Sequence, residues 1–290
     1  MHWLALSLIC AFALATSDAA AKHWLRDAGA REMVVVRFGI SGLLLLPWLM
    51  TFELPPLPLA FWGWIVALMP LEIAAMLMYM RAIRDYPMAL TVPYLAFTPV
   101  LVVVTGWLVL GETVDGYGLL GIALVVSGSW LLNFEHNERL TLRTVLAPLK
   151  AIVVNPGSRL MLACASIYAL TSVGGKRAMQ WMPPEQFGAF YFVLLGAVTL
   201  VMVGITRPAA LKVGRFGALP LLLVGGFMAI MVVVHFMALD QVEAAYMIAV
   251  KRTSLLFGML YGAILFGERH VGRHLVAGAL LVAGVAAISL

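Results

Sequence analysis

Apolar residues fall in runs of about 20, separated by short polar or Pro/Gly-rich stretches, the length a helix needs to cross a bilayer. The first run extends from about Trp3 to Ala21, and the second from about Met33 to Met50 with Arg37 inside it. After the loop Pro55-Pro56-Leu57-Pro58, a third run reaches about Met80 and contains Pro70 and Glu72. The fourth, about Met88 to Leu110, carries Pro93 and Pro99, which predict a kinked or locally broken helix. The fifth spans Tyr117 to Leu132. Five more follow, at about Leu160–Gly175, Phe187–Ile205, Ala218–Leu239, Ala244–Phe266 and Val271–Ser289. The pattern predicts an all-α integral membrane protein with ten transmembrane helices. The first run lacks the basic start of a secretory signal and reads as a mature span.

Between the fifth and sixth runs the pattern changes. Arg139, Arg143 and Lys150 alternate with Leu140, Leu142, Val145, Leu146, Leu149 and Ile152 until Asn155-Pro156-Gly157. This is the pattern of a basic amphipathic helix lying on an anionic membrane face. It divides the chain into a first five-helix repeat (1–134), a linker (135–158) and a second five-helix repeat (159–290). The halves echo each other. An offset of 154 places Cys10 on Cys164, Ala15 on Ala169, Lys22 on Lys176 and Phe38 on Phe192. An offset of 156 places Ala89 on Ala245, Gly106 on Gly262, Gly111-Glu112 on Gly267-Glu268 and Gly128 on Gly284. Five spans is an odd number, so the second copy enters the membrane in the opposite sense. Such inverted repeats place a transport site near the midplane between the halves.

Composition strengthens the membrane reading. The 290 residues are 63% hydrophobic and only 11% charged, against about 25% charged in soluble domains. The net charge of +5 reflects cations in loops and not a nucleic-acid surface, because no contiguous basic face exists to carry one. Cys10 and Cys164 each lie inside an apolar run and read as packing residues.

Two copies of Gly-Glu, each followed by spaced glycines (Gly121 and Gly128; Gly278 and Gly284), are similar to the EamA family of the drug/metabolite transporter superfamily. Lys22 closing the first span, Arg37-Phe38 in the second and Val250-Lys251-Arg252-Thr253-Ser254 in the ninth fit the same pattern. The resemblance covers nearly the whole chain. It implies a ten-helix, inverted-repeat carrier of the bacterial inner membrane that moves amino acids, other small metabolites or drugs, and it alone suggests export. Loops after odd-numbered spans hold fourteen Lys and Arg, against two (Lys176, Arg177) on the opposite side. The positive-inside rule therefore places both termini in the periplasm, a departure from the family's usual cytoplasmic termini.

Ionisable residues at membrane depth mark function or helix pairing. Lys251 and Arg252, adjacent and therefore about 100° apart on a helix, are candidates to bind an anionic substrate group. The other reading is a structural pairing with Glu72, Asp18 or Glu243. Arg37 is a further candidate, or it snorkels to the surface. Glu72 is the first candidate for proton coupling, with Asp18 and His235 behind it. Asp18 and Lys22, four apart, suit an intrahelical pair, and a lone His235 suits a structural hydrogen bond. Tyr79, Tyr94, Tyr168, Tyr191 and Tyr246 are candidates to shape a cavity, as are Phe97 and Trp107, although aromatics also anchor interfaces. Glu112 and Glu268 read as fold features, each suited to the dipole of the helix that follows it.

These features predict a secondary transporter of a small polar metabolite, amino-acid-like or an organic anion, with no cofactor. The expected partners are substrate and lipid, and assembly as monomer or homodimer is open. A multidrug exporter of lipophilic cations would need an uncompensated cavity carboxylate. A membrane-embedded enzyme lacks a nucleophile or phosphate-loop motif. Its only paired histidines, His270 and His274, give at most two ligands. A non-transporting scaffold would not need charges buried at membrane depth.

Overall fold

Leu-, Val- and Ala-rich runs with no water beside them must satisfy their backbone internally, and helices do so. In the computed structural model, which describes residues 2–86, 91–132, 155–266 and 272–289, every regular element is helical. They are α1 (Trp3–Trp24), α2 (Ala30–Leu49), α3 (Leu59–Asp85), α4 (Thr98–Leu110), α5 (Gly116–Leu132), α6 (Pro156–Met179), α7 (Pro184–Thr206), α8 (Ala218–Leu239), α9 (Ala244–Lys251), α10 (Ser254–Phe266) and α11 (Gly272–Ile288). Five of them, α1, α2, α3, α7 and α8, are long and apolar enough to cross a membrane, and α5 is a shorter apolar helix. The basic linker at 133–154, Gly267-Glu268 and the His270 side of the histidine pair lie outside the described residues.

Three irregularities matter for function. Within α2, Val35–Ile40 is π-helical, a feature that often marks functional positions. A 3₁₀ segment, Val92–Phe97, precedes α4, so the fourth apolar run is broken as its prolines imply. The ninth run is also broken: α9 stops at Lys251, and Arg252-Thr253 form a turn before α10 starts. The two breaks are related, because Thr98 and Ser254, the first residues of α4 and α10, are offset by 156. The Thr98 hydroxyl donates to Leu95 O at 2.7 Å and the Thr253 hydroxyl to Val250 O at 2.8 Å, which satisfies carbonyls freed at each break.

Packing follows the repeat. The α2–α7 contact is tight at Gly42 and Gly196, residues offset by 154. A Cβ on Gly42 would sit 2.7 Å from Phe192 O, and one on Gly196 would sit 2.6 Å from Phe38 O. Moving up one helix means moving down the other, so α2 and α7 run antiparallel. The Phe38 and Phe192 rings meet edge to face with centroids 5.6 Å apart. Residues equivalent in two copies can touch each other only beside the axis that relates them. α5 and α11 repeat the arrangement: Gly121 packs on Gly284, and Gly128 on Ala277 O. Several other major contacts come in matched pairs, α1–α8 with α3–α6 and α4–α6 with α1–α10, while α4 also packs against α9 and α8 packs against α7 and α2. The fold is therefore two antiparallel copies interleaved about a local two-fold axis. Cys10 and Cys164 are fully buried free thiols at equivalent places.

Glycine at the crossings is a requirement of distance. Gly121→Val and Gly196→Val are expected to destabilise the fold by about 1–3 kcal/mol through overpacking. Gly63 is the internal control, since a Cβ there meets nothing within 4 Å. Gly63→Ala should instead stabilise α3 by about 0.5–1 kcal/mol. Thermal unfolding in detergent reads both signs, and equal melting temperatures for all three variants would refute the crossings.

Candidate functional site

A cavity of about 170 Å³ lies where the breaks, the π-helical segment and the axis coincide. Asp18, Arg37, Glu72, Tyr79, Tyr168, Tyr191, His235, Lys251 and Arg252 all line it. Tyr94 and Tyr246 do not. Tyr94 is fully buried against the edge of the Trp130 ring. The Tyr246 hydroxyl bonds Asp115, accepting from its N–H at 3.1 Å and donating to its carboxylate at 3.2 Å. Phe97, which packs on Trp130, and the exposed Trp107 also lie away from the cavity.

Many of the lining residues occur in equivalent pairs. Offsets of 154 relate Asp18 to Ser172 and Arg37 to Tyr191. Offsets of 156 relate Glu72 to Met228, Tyr79 to His235, Leu95 to Lys251 and Thr98 to Ser254. Both members of these six pairs line the cavity, so it lies beside the axis. The frame is symmetric but the chemistry is not. Cations at the break occur only in the second repeat, and the carboxylates Asp18 and Glu72 only in the first.

The broken helix explains how two adjacent cations share one cavity. On a continuous helix Lys251 and Arg252 would point about 100° apart. Here Lys251 ends α9 and Arg252 occupies the turn, and both line the same space. Among the described residues neither forms an ion pair within 4 Å, and neither does Glu72. Arg252 Nε is buried without a hydrogen-bond partner, as are Arg37 Nε, Tyr191 Oη and His235 Nδ1. Four unpartnered polar atoms around one cavity amount to unused recognition capacity, because buried polar groups ordinarily find partners.

Arg37 does not snorkel. Its side chain is 5% exposed and pairs with Asp18, across α1 and α2 and not along α1. The Ser41 hydroxyl donates to Arg37 O, satisfying a carbonyl in the π-helical register. Glu72 faces Thr171 on α6. Counting formal charges, three cations face two carboxylates, and one cation–carboxylate pair is already made.

The cavity runs into a larger space on one side. A vestibule of about 600 Å³, lined by Lys22, Leu25, Arg26, Ala28, Met33, Ile83, Gly258 and Gly262 among others, shares Asp18, Arg37, Tyr79, Ser254 and Leu255 with it. At the start of α9, seven residues before Lys251, Ala244 is held by Glu112. Gly111, with φ of 71°, ends α4 in the left-handed conformation that glycine adopts readily. This turns Glu112 across to the other repeat and not onto the helix that follows it. Its carboxylate accepts from Ala244 N at 2.8 Å and pairs with Lys176 at 2.6 Å. Lys176 Nζ also donates to Val242 O at 2.6 Å. Three elements, α4, α6 and the start of α9, meet at this one carboxylate.

Antiparallel repeats of apolar helices around an axial, charged cavity define a multi-pass membrane protein with a central site. The chain belongs to the EamA-like transporter family, which it matches over residues 1–134 and 155–290. A solved crystal structure of a protein without a functional description is similar in fold. It covers 99% of this chain and 98% of its own, with TM-score 0.71 and 17% identity. No curated protein sequence matches the chain.

Lys176→Met leaves Glu112, 16% exposed, without its cation. The loss should fall between that of an exposed and a buried pair, roughly 1–3 kcal/mol. In that variant a cysteine placed at Val242, whose carbonyl Lys176 holds, should become more reactive to thiol reagents. The exchange Glu112→Lys with Lys176→Glu should recover only part of the loss, because Ala244 N then lacks its acceptor. A double-mutant cycle measures the coupling, and additive effects would refute the pair.

Proposed function

We propose that this protein is a secondary transporter of a small metabolite carrying an anionic group, amino-acid-like or an organic acid, working by alternating access through ten spans. The observation that carries the reading is the pair Lys251 and Arg252 at the break of the ninth span, both facing the axial cavity and neither ion-paired. A carboxylate entering between them finds charge-assisted donors already desolvated, including the unpartnered Arg252 Nε. Size supports a small substrate: the cavity of about 170 Å³ is below the roughly 300–1,000 Å³ of drug-sized sites. Sign favours an anion over lipophilic cations, since two unpaired cations, Lys251 and Arg252, face one unpaired carboxylate, Glu72. Export is taken from the family resemblance.

Glu72 is the proposed proton-coupling group. It is the cavity carboxylate not held by a cation, so it is free to exchange a proton as substrate approaches Lys251. The setting is the bacterial inner membrane. The Lys/Arg bias would put both termini in the periplasm and the vestibule on the cytoplasmic side, which makes this conformation inward-open.

A thermal-shift screen of purified protein against amino acids, organic anions, nucleosides and lipophilic cations tests the substrate class. An anion or zwitterion should raise the melting temperature, and Lys251→Ala or Arg252→Ala should abolish that shift. Stabilisation by lipophilic cations alone, unaffected by either substitution, would replace this reading with multidrug export. In proteoliposomes, Glu72→Gln should retain substrate exchange at equal pH and lose accumulation driven by a pH gradient. Unchanged gradient-driven uptake would remove Glu72 from the coupling step.

A further inference from the structure

A second cavity, of about 630 Å³, lies apart from the axial site, between the start of α2, the end of α3 and the segment after α7. Four arginines line it: Arg31, Arg81, Arg207 and Arg215. Its one carboxylate, Glu32, is already engaged, pairing with Arg215 at 2.8 Å and accepting from Gly29 N at 2.8 Å. Arg215 also lies over the Phe216 ring at 4.7 Å. Arg31, Arg81 and Arg207 form no ion pair among the described residues. Three uncommitted guanidiniums thus converge on one concave space. Such a cluster repels itself unless an anion occupies it, and the fork of each guanidinium matches phosphate oxygens.

The walls of the cleft are apolar. Leu77, Ala209 and Ala210 line it, and Ile205 and Leu211, on either side of Arg207 in the chain, are exposed. A free phosphate would use the arginines alone. A phospholipid would use both, with its headgroup among the guanidiniums and its acyl chain along the exposed Ile205 and Leu211. We infer that this cleft is a binding site for the phosphate-bearing headgroup of an anionic phospholipid. The cleft lies on the Lys/Arg-rich side, so the leaflet would be the cytoplasmic one. That placement rests on the orientation proposed above, whereas the binding itself does not.

The test is made on the purified full chain in detergent, where neither orientation nor transport enters. Phosphatidylglycerol added to delipidated protein should raise the melting temperature by about 2–4 °C, and phosphatidylcholine should not. The exposed pair Arg81→Gln/Arg207→Gln should lose most of that shift while melting as wild type without lipid, because the Arg215–Glu32 pair is untouched. Salt at 0.5 M should weaken the shift, and native mass spectrometry should show the lipid retained by wild type and not by the variant. Equal stabilisation by phosphatidylcholine, or an undiminished shift in the variant, overturns the site. Equal stabilisation by glycerol phosphate or inorganic phosphate overturns the lipid and leaves a soluble anion as the occupant. A failed substrate screen with a positive lipid shift would remove the transport reading alone.

Discussion

A cation at the depth of a bilayer core costs several kcal/mol unless it meets a partner or a polar cavity. The arrangement around Lys251 and Arg252 answers that cost. The ninth run breaks just where they stand, so both side chains enter one cavity, and the freed backbone is satisfied locally by Thr253. A broken helix is tolerated at membrane depth only where protein surrounds it. The antiparallel repeats provide that enclosure, because the cavity lies beside their axis.

The two copies share a frame but not a chemistry. Antiparallel crossings at Gly42–Gly196 and Gly121–Gly284 let backbones approach to contact distance, so the frame depends on residues without side chains. The cavity depends on residues that differ between copies: Lys251 against Leu95, Glu72 against Met228, Arg37 against Tyr191. A two-fold frame allows two openings related by the axis and of nearly equal energy, which the alternating access proposed above requires. An asymmetric lining lets one substrate orientation be recognised in both. Glu112 and Lys176 tie the two repeats together at the start of α9, while the vestibule adjoins the cavity at Asp18, Arg37, Tyr79, Ser254 and Leu255.

Much of the fold was legible because it is periodic. Run lengths placed the helices, with the eighth matching from Ala218 to Leu239, and the offsets of 154 and 156 gave the inverted arrangement. What escaped has no period. The Asp18–Arg37 pair joins positions nineteen apart on two helices, whereas the i, i+4 rule pointed to Lys22. The break after Lys251 carries no proline, yet the offset of 156 from the Pro93–Pro99 break marks Ser254, so the repeat held a signal that composition hid. Tyr94 and Tyr246 stand out in the sequence only as aromatics within apolar runs. Aromatic character says nothing about which face a residue occupies, and Leu95 takes the cavity position beside Tyr94. Glu112 shows the same limit, since its partners Lys176 and Ala244 come from the other repeat and not from the helix next to it.

The measurement that tests the account most directly is thiol labelling of Ser254→Cys in a background where Cys10 and Cys164 are replaced by alanine. Ser254 lines both the cavity and the vestibule. An impermeant reagent should label it from the vestibule side in the resting protein. Once a stabilising anion is supplied under turnover, label should also enter from the opposite side. Labelling from one side only under every condition, or protection from both, would contradict a central site that is reached alternately from the two faces.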